Sequence, residues 1–165
     1  MRQVFRTLAF LVAIGVVVQA AVMVYAVAGL GLFIEDGGVL DRAAMEQSMA
    51  GDMLFPEQIG LMLHGMNGMM VIPALAVLLL IASFFSGIRG AWKWALAVLA
   101  LVALQVTLGL AGHSVPFLGA LHGVNALLLF SAALYTGWRV AARGRARAAV
   151  ETEPPAAPAA ERLPS

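Results

Sequence analysis

Two histidines stand in the same five-residue pattern at two places in the chain. The sequence Leu63-His64-Gly65-Met66-Asn67 returns as Leu121-His122-Gly123-Val124-Asn125. Each copy lies near the start of a long apolar run, where ionisable residues are rare and usually functional. An imidazole there can ligate a metal ion or a haem iron, or it can hydrogen-bond to a neighbouring helix. Because both histidines have the same flanks, one site built from two halves is favoured over two unrelated structural contacts.

The composition is that of a membrane protein. Of the 165 residues, 62% are hydrophobic and 12% are charged, whereas about a quarter of the residues in a soluble domain are charged. A helix that crosses a bilayer needs about 20 apolar residues. We therefore predict an all-α, polytopic membrane four-helix bundle within residues 1–140. Its helices are expected at about 7–32, 59–85, 91–112 and 117–139.

The basic residues predict the orientation of the bundle. The positive-inside rule places Lys- and Arg-rich segments in the cytoplasm, so both termini are predicted to be cytoplasmic and loop 34–58 extracytoplasmic. The composition is rich in Arg, Ala, Val and Gly and has a single lysine, which is typical of a GC-rich bacterial genome. We therefore predict that the bundle lies in a bacterial inner (plasma) membrane. The basic residues on the predicted cytoplasmic side are Arg2, Arg6, Arg89, Lys93, Arg139, Arg143, Arg145 and Arg147.

The segments outside the four runs have distinct patterns. In the acidic loop, Asp41 can cap a short helix that extends to about Ala50. Pro73 is expected to kink the second long helix, since neighbouring groups must satisfy the carbonyl it leaves without a partner. Residues 141–165 are predicted to form a cytoplasmic tail that is first basic and then, over Glu151–Ser165, disordered.

The two histidine patterns belong to a longer repeat. In each half, a first helix contains one glutamine (Gln19, Gln105), and a proline (Pro56, Pro116) precedes the histidine pattern of the second helix. The halves have the same topology, so the repeat predicts a pseudo-twofold axis along the membrane normal, with the histidines facing each other across the bundle centre. The glutamines are interpreted as interhelical hydrogen-bonding groups.

A b-type haem suits this pair of histidines. A low-spin haem iron takes two neutral imidazoles from opposite sides, and small residues beside them leave width for a porphyrin. The asparagines lie three residues after each histidine, on the same helix face, and can hydrogen-bond to a propionate, a carbonyl or another polar partner. The predicted cofactor-binding residues are His64 and His122, as ligands of the haem iron, with Gly65, Gly68, Gly123, Asn67 and Asn125.

Other kinds of site are excluded or disfavoured by residue type. The chain has no cysteine, which excludes disulfides, iron–sulfur clusters, thiolate zinc sites and covalently attached haem. No nucleophile or acid/base pair accompanies the histidines, so no catalytic residue is predicted and enzyme activity by the chain alone is not expected. Binding of haem, with electron transfer or haem handling as the role, is favoured over hydrolysis.

The pattern of four helices, with one histidine in the second helix and one in the fourth, resembles one half of heme A synthase. The pattern is closer still to a family of small bacterial four-helix membrane proteins without assigned function. The resemblance covers about residues 5–140 and implies a b-type haem held axially by His64 and His122. Heme A synthase has eight helices, and its substrate half has an acidic residue three positions before the first histidine, where this chain has Leu61. Heme A synthase activity is therefore not expected.

The alternatives are a cofactor-free structural or accessory membrane subunit, whose histidines only join helices, and a copper protein. Expected partners are the lipid bilayer and either a redox partner or a second copy of the chain, with no nucleic acid. His113, in the short loop after the third helix, is interpreted as a solvated interfacial residue; the alternative is a proton carrier or quinone contact. Thioethers suit Cu(I), and the methionines of the copper hypothesis are Met45, Met49, Met53, Met62, Met66, Met69 and Met70.

Overall fold

Four long apolar helices and one short helix make up the computed structural model, which describes the backbone of residues 1–152 and the side chains up to Arg139. The four long segments are apolar enough to cross a membrane, which confirms the predicted number of spans. The fifth helix lies in the loop between the first two. The helices are α1 (Arg2–Glu35), α2 (Arg42–Ala50), α3 (Pro56–Phe85), α4 (Ala91–Gly112) and α5 (Pro116–Thr152).

The short helix α2 begins and ends as its sequence predicts. Asp41 is its N-cap, and the side chain accepts a hydrogen bond of 2.9 Å from the backbone N–H of Ala44. At the other end, Gly51 has φ of +103°, a left-handed conformation that glycine adopts without steric cost. Arg42 and Glu46 lie one turn apart on the exposed surface of α2 and form an ion pair, with 3.1 Å between Nε and Oε1.

Helix α5 is longer than the sequence pattern predicted. The expected end was near Arg139, but the helical backbone continues to Thr152. Residues 140–150 are mainly alanine and arginine, which have high intrinsic helix propensity, so the end of the apolar run is not the end of the helix. Residues 153–165, most of the segment predicted to be disordered, lie outside the described residues.

Helix α3 changes its winding before Pro73. It starts as a 3₁₀ turn, continues as an α-helix over Ile59–Met66, widens to a π turn over Asn67–Val71 and resumes as an α-helix over Ile72–Phe85. A proline lacks the N–H for the regular bond, and its ring clashes with the carbonyl four residues earlier. A π turn moves that carbonyl out of the way with one extra residue per turn. The structure has this π turn at the place where the sequence predicts a kink.

The helices pack in a ring, so that α3 and α5, which bear His64 and His122, lie diagonally across the bundle. Helix α1 packs against α3 and α5, and α4 packs against α5. Within α3, the segment Ile72–Phe85 packs against both α1 and α4, whereas the segment before it packs extensively against α1 alone. The first part of α3 is therefore not closed in by α4.

The apolar core occupies one half of the bundle, near the end formed by Met1, the turn 86–90 and Arg139, which we call the terminal end. The opposite end, formed by loop 36–55 and the turn 113–115, is the loop end. The core residues are mostly alanine and valine, which lets the helix backbones approach closely. They are Phe5, Ala9, Val12, Ala13, Val16, Ile72, Ala76, Leu79, Ala82, Ala91, Ala95, Val98, Val102, Leu129 and Ala133.

Candidate histidine site

The rings of His64 and His122 lie side by side although their helices are diagonal in the bundle. Their centroids are 6.2 Å apart and their planes are inclined by 50°. Both residues are partly buried. They lie beyond the loop-end limit of the apolar core, in a layer that also contains the side chains of Asn67 and Asn125. The structure thus brings together the four polar residues of the two sequence patterns.

His64 is held by the backbone of α1. Its Nδ1 lies 3.2 Å from the carbonyl oxygen of Gln19. A carbonyl can only accept, so Nδ1 carries the proton and donates it. The Nε2 atom of His64 has no hydrogen-bond partner within the described side chains. In a neutral ring this nitrogen has a lone pair that can bind a metal.

His122 is held in the same way by the backbone of α4, with one addition. Its Nδ1 donates to the carbonyl oxygen of Gln105 at 3.0 Å. The side-chain amide nitrogen of Gln105 lies 3.1 Å from Nε2 of His122 and 3.0 Å from its carbonyl oxygen. Because Nδ1 has the proton, Nε2 accepts, and Gln105 occupies the lone pair that is unused in His64.

The ring of His122 rests against a glycine of α4. A Cβ atom at Gly109 would lie 3.0 Å from Cε1 and 3.1 Å from Nδ1 of this ring. These separations are too short for an ordinary contact, so a larger residue would displace the imidazole. Gly109 therefore helps to position His122.

The asparagines repeat one bonding pattern in both halves. Asn67 donates from Nδ2 to the carbonyl oxygen of Gly15 at 3.1 Å and to Oε1 of Gln19 at 3.2 Å. Asn125 donates from Nδ2 to the carbonyl oxygen of Leu101 at 3.0 Å and to Oε1 of its glutamine at 2.6 Å. In each half the carbonyl belongs to the residue four positions before the glutamine. Asn125 is only 3% exposed, and its Oδ1 lacks a partner within the described residues.

The glycines near the histidines divide into two groups. A Cβ at Gly65 or Gly123 would meet nothing within 4 Å, so both positions adjoin open space. A Cβ at Gly68 would lie 2.5 Å from Nε2 of Gln19. The room beside Gly68 is therefore taken by the glutamine side chain, whereas Gly65 and Gly123 leave space outside the packed helices.

The methionines and the third histidine lie on the surface. The seven methionines of the copper hypothesis are between 49% and 78% exposed. His113 follows the last turn of α4 and is also exposed. In the described part of the chain, no group of three or more His, Cys, Asp or Glu side chains could hold a metal ion.

Sequence reasoning gave Gln19 and Gln105 too small a role. Their prediction as interhelical hydrogen-bonding groups is confirmed, but contact with the histidines themselves was not expected. The sequence feature that indicates this role is the equivalent position of the two glutamines in the two halves. The position of Gly109 was missed because nothing in sequence shows that an imidazole from α5 would lie on that turn of α4.

Comparison of the chain with models of protein families, with curated protein sequences and with solved structures finds no match. No relative therefore supplies a function. The arrangement of His64 and His122 is the basis on which one can be inferred.

Proposed function

We propose that this protein is a multi-pass protein of the bacterial inner membrane that holds one b-type haem between His64 and His122. Its role is electron transfer or the handling of haem. The observation that supports it is the pair of imidazoles, 6.2 Å apart between centroids, each with Nδ1 hydrogen-bonded to a backbone carbonyl.

The separation of the rings fits two imidazoles on one metal ion. A metal-bound histidine nitrogen lies about 2 Å from its ion, and the ring centre lies about 1 Å further away. Two imidazoles on opposite sides of one ion therefore have centroids about 6 Å apart. The rings of His64 and His122 would need little translation to reach that separation.

The hydrogen bonds at Nδ1 suit a metal ligand. Ligating histidines commonly donate the N–H of the other ring nitrogen to a carbonyl, which fixes the tautomer and the ring orientation. The carbonyls of Gln19 and Gln105 have this function here. His64 presents Nε2 without a competing bond, whereas His122 must first release the amide of Gln105.

The looser packing of the loop end supports binding of a flat ligand there. The apolar core stops one turn before the polar layer, and the first part of α3 does not pack extensively against α4. Gly65 and Gly123 present no side chain to the open space beside them. A bound haem supplies reversible one-electron transfer, while the chain fixes the rings and keeps water away with apolar side chains.

The matching bonds of the two halves support a duplicated two-helix unit. The asparagine Nδ2, the glutamine Oε1 and carbonyl oxygen, and the histidine Nδ1 make equivalent bonds in both halves, and Gln105 makes two further bonds, to Nε2 and to the carbonyl oxygen of His122. We infer a pseudo-twofold axis between the units, along the membrane normal. The basic residues of the terminal end support its assignment to the cytoplasm.

The spans suggest which partners the protein has. In the most apolar stretch of each span, between 17% and 28% of the residues are buried inside the bundle, so most of them are available to lipid. A redox partner or a second copy of the chain would contact part of this surface. Leu61 stands where heme A synthase has an acidic residue, and heme A synthesis is not part of the proposal.

A cofactor-free structural subunit is the second candidate, and one observation favours it. Gln105 makes two bonds to His122 and satisfies both of its acceptors, the ring Nε2 and the carbonyl oxygen. In a permanently cofactor-free protein these bonds would join α4 and α5 and need no ligand.

Visible spectroscopy separates the two functions. The full chain is purified from haem-replete cells, and dithionite-reduced minus oxidised spectra are recorded with a haem assay and a copper assay. We expect the α-band of a low-spin b-type haem in the unaltered protein. It should be lost in His64→Ala and in His122→Ala, because each substitution removes one of the two imidazoles that would hold the haem.

His113→Ala is the matched control, since it removes an exposed histidine outside the pair and should leave the spectrum unchanged. A folded, colourless protein without haem would contradict the proposal. If its stability then fell in His64→Ala and His122→Ala, the structural role would be supported. One equivalent of copper in place of haem would support the copper protein.

A further inference from the structure

Among residues 1–139, the terminal end of the bundle contains cations but no carboxylates. Within residues 1–139, the one ion pair joins Arg42 and Glu46 in α2, far from this end. All six carboxylates of that part of the chain follow residue 34 and lie at the loop end: Glu35, Asp36, Asp41, Glu46, Asp52 and Glu57. The cations of the terminal end are Arg2, Arg6, Arg89, Lys93 and Arg139.

Two of these cations line the same cleft. It lies between the start of α1, the turn 86–90 and the facing parts of α4 and α5. Its lining is mainly apolar, with one buried threonine, Thr136, and its two charged side chains are both arginines. The lining residues include Phe5, Ile88, Arg89, Ala91, Trp94 and Arg139.

Arg139 is held in place by aromatic rings. Its guanidinium carbon lies 5.1 Å from the ring centroid of Trp94 and 5.6 Å from that of Tyr135. These two rings pack together with centroids 4.8 Å apart. A stacked guanidinium keeps its edge N–H groups available for a planar, forked contact. Arg139 donates no hydrogen bond to any of the described residues.

We propose that this cleft binds the phosphate of an anionic phospholipid headgroup. A forked guanidinium beside a second arginine matches the oxygens of a phosphate. Ile88 and Trp94, which also line the cleft, would contact the glycerol and the first methylenes of the acyl chains. Exposed Trp92 and Trp138 at the same end indicate the depth of the headgroup region, where tryptophan concentrates. This proposal does not depend on haem binding.

Native mass spectrometry tests it on the full chain in a neutral detergent, titrated with phosphatidylglycerol or with phosphatidylcholine. We expect one phosphatidylglycerol to bind in preference to phosphatidylcholine. Arg89→Gln and Arg139→Gln should each lower the affinity for phosphatidylglycerol about tenfold, because each removes charge-assisted hydrogen bonds to the phosphate. The affinity of Arg139→Lys should recover less than half of what Arg139→Gln loses, since a lysine cannot make the forked contact.

Lys93→Gln is the matched control: it removes one positive charge from the same end, but Lys93 lies over the ring of Trp92 and does not line the cleft. Its affinity for phosphatidylglycerol should stay within about twofold of the unaltered protein. An equal loss in Lys93→Gln, or equal binding of the two lipids, would overturn the proposal. Displacement by millimolar inorganic phosphate would assign the cleft to a free anion and also overturn it. Arg89 is exposed on a turn, so Arg89→Gln tests the site even if Arg139→Gln fails to fold.

Discussion

The hydrogen bonds of the two histidine rings differ at one atom, the Nε2 that would bind iron. In His122 it accepts a hydrogen bond from Gln105, and in His64 it has no described partner. A haem that binds both rings must replace the first bond but loses nothing at the second. The glutamine would therefore compete with the proposed haem at one histidine only.

Gln105→Ala is expected to raise the affinity for haem. A net hydrogen bond contributes about 0.5–1.5 kcal/mol, so loss of the competing bond should strengthen binding by about 2- to 12-fold. Titration of the apoprotein with haem, followed by the Soret band, measures the change. The same variant should be less stable without haem, because Asn125 also loses its bond to Oε1.

Gln19→Ala is the matched control. Gln19 accepts from Asn67 as Gln105 accepts from Asn125, but its amide nitrogen does not reach Nε2 of His64. Haem affinity in Gln19→Ala should therefore rise less than in Gln105→Ala. An equal rise in both variants would show that loosening of the helices, and not competition at Nε2, changes the affinity.

At the scale of helices, the π turn sets the direction of His64 relative to the core. Its extra residue offsets Ile59–Met66 from Ile72–Phe85 by about 100° around the helix axis. With the core face of Ile72–Phe85 held against α1 and α4, this offset decides whether His64 faces His122.

Deletion of Met70 should turn His64 away from His122. Met70 is 67% exposed, so its side chain contributes little to packing, whereas loss of one residue favours a regular α-helix. We expect the reduced-minus-oxidised spectrum to lose its six-coordinate, low-spin features. Met70→Ala keeps the residue count and should keep the spectrum. An unchanged spectrum in the deletion would show that the π turn does not orient His64.

At the loop end, glycines let α1 approach α3, and α4 approach α5, without side chains between the backbones. A Cβ at Gly60 would clash with the carbonyl oxygen of Val22 in α1, and a Cβ at Gly112 would lie 2.9 Å from the Cα of Gly119 in α5. Each glycine thus permits a backbone approach that any larger residue would prevent.

Gly60→Ala and Gly112→Ala should each lower the free energy of unfolding by about 1–3 kcal/mol, since the helices must move apart. Denaturant unfolding in detergent, followed by circular dichroism, measures this loss. Gly31→Ala is the control, because a Cβ there meets nothing within 4 Å and alanine favours the helix. Equal losses at Gly31 and Gly60 would contradict the packing explanation.

The sequence predicted elements that depend on local residue type and missed those that depend on contacts between helices. The four apolar runs and the cap at Asp41 follow from hydropathy and from one side chain. Pro73 marks in the sequence where the regular winding of α3 is disturbed, but the form of the disturbance, a π turn over Asn67–Val71, is not shown by the local pattern. Likewise, the histidine pattern and the glutamines are visible in sequence, but not the bond between Gln105 and Nε2 of His122. The extension of α5 does not follow from hydropathy, because the helix continues beyond the end of the apolar run.

At the scale of the whole molecule, the apolar core and the polar layer with the histidines occupy opposite halves. The apolar core fills the terminal half, where alanine and valine bring the four spans together. The loop half contains the polar layer and the histidines, and there the buried residues of α1 and α3 are small: Ala26, Gly29 and Gly60. A rigid half would hold the spans in register while the other half accommodates a ligand between them.

The basic residues of the terminal end and the acidic residues of the loop end predict the orientation of the molecule in the membrane, with the terminal end in the cytoplasm. The chain has no cysteine, so a single introduced thiol reports sidedness without background. Asp52→Cys, in the loop between α2 and α3, should react with a membrane-impermeant maleimide in intact spheroplasts. Ser165→Cys should react only after lysis, because the positive-inside rule keeps the basic end in the cytoplasm. Labelling after lysis is the control for thiol reactivity at both positions. Labelling of Ser165→Cys in intact spheroplasts, with Asp52→Cys protected, would reverse the orientation and place the histidine layer near the cytoplasmic face.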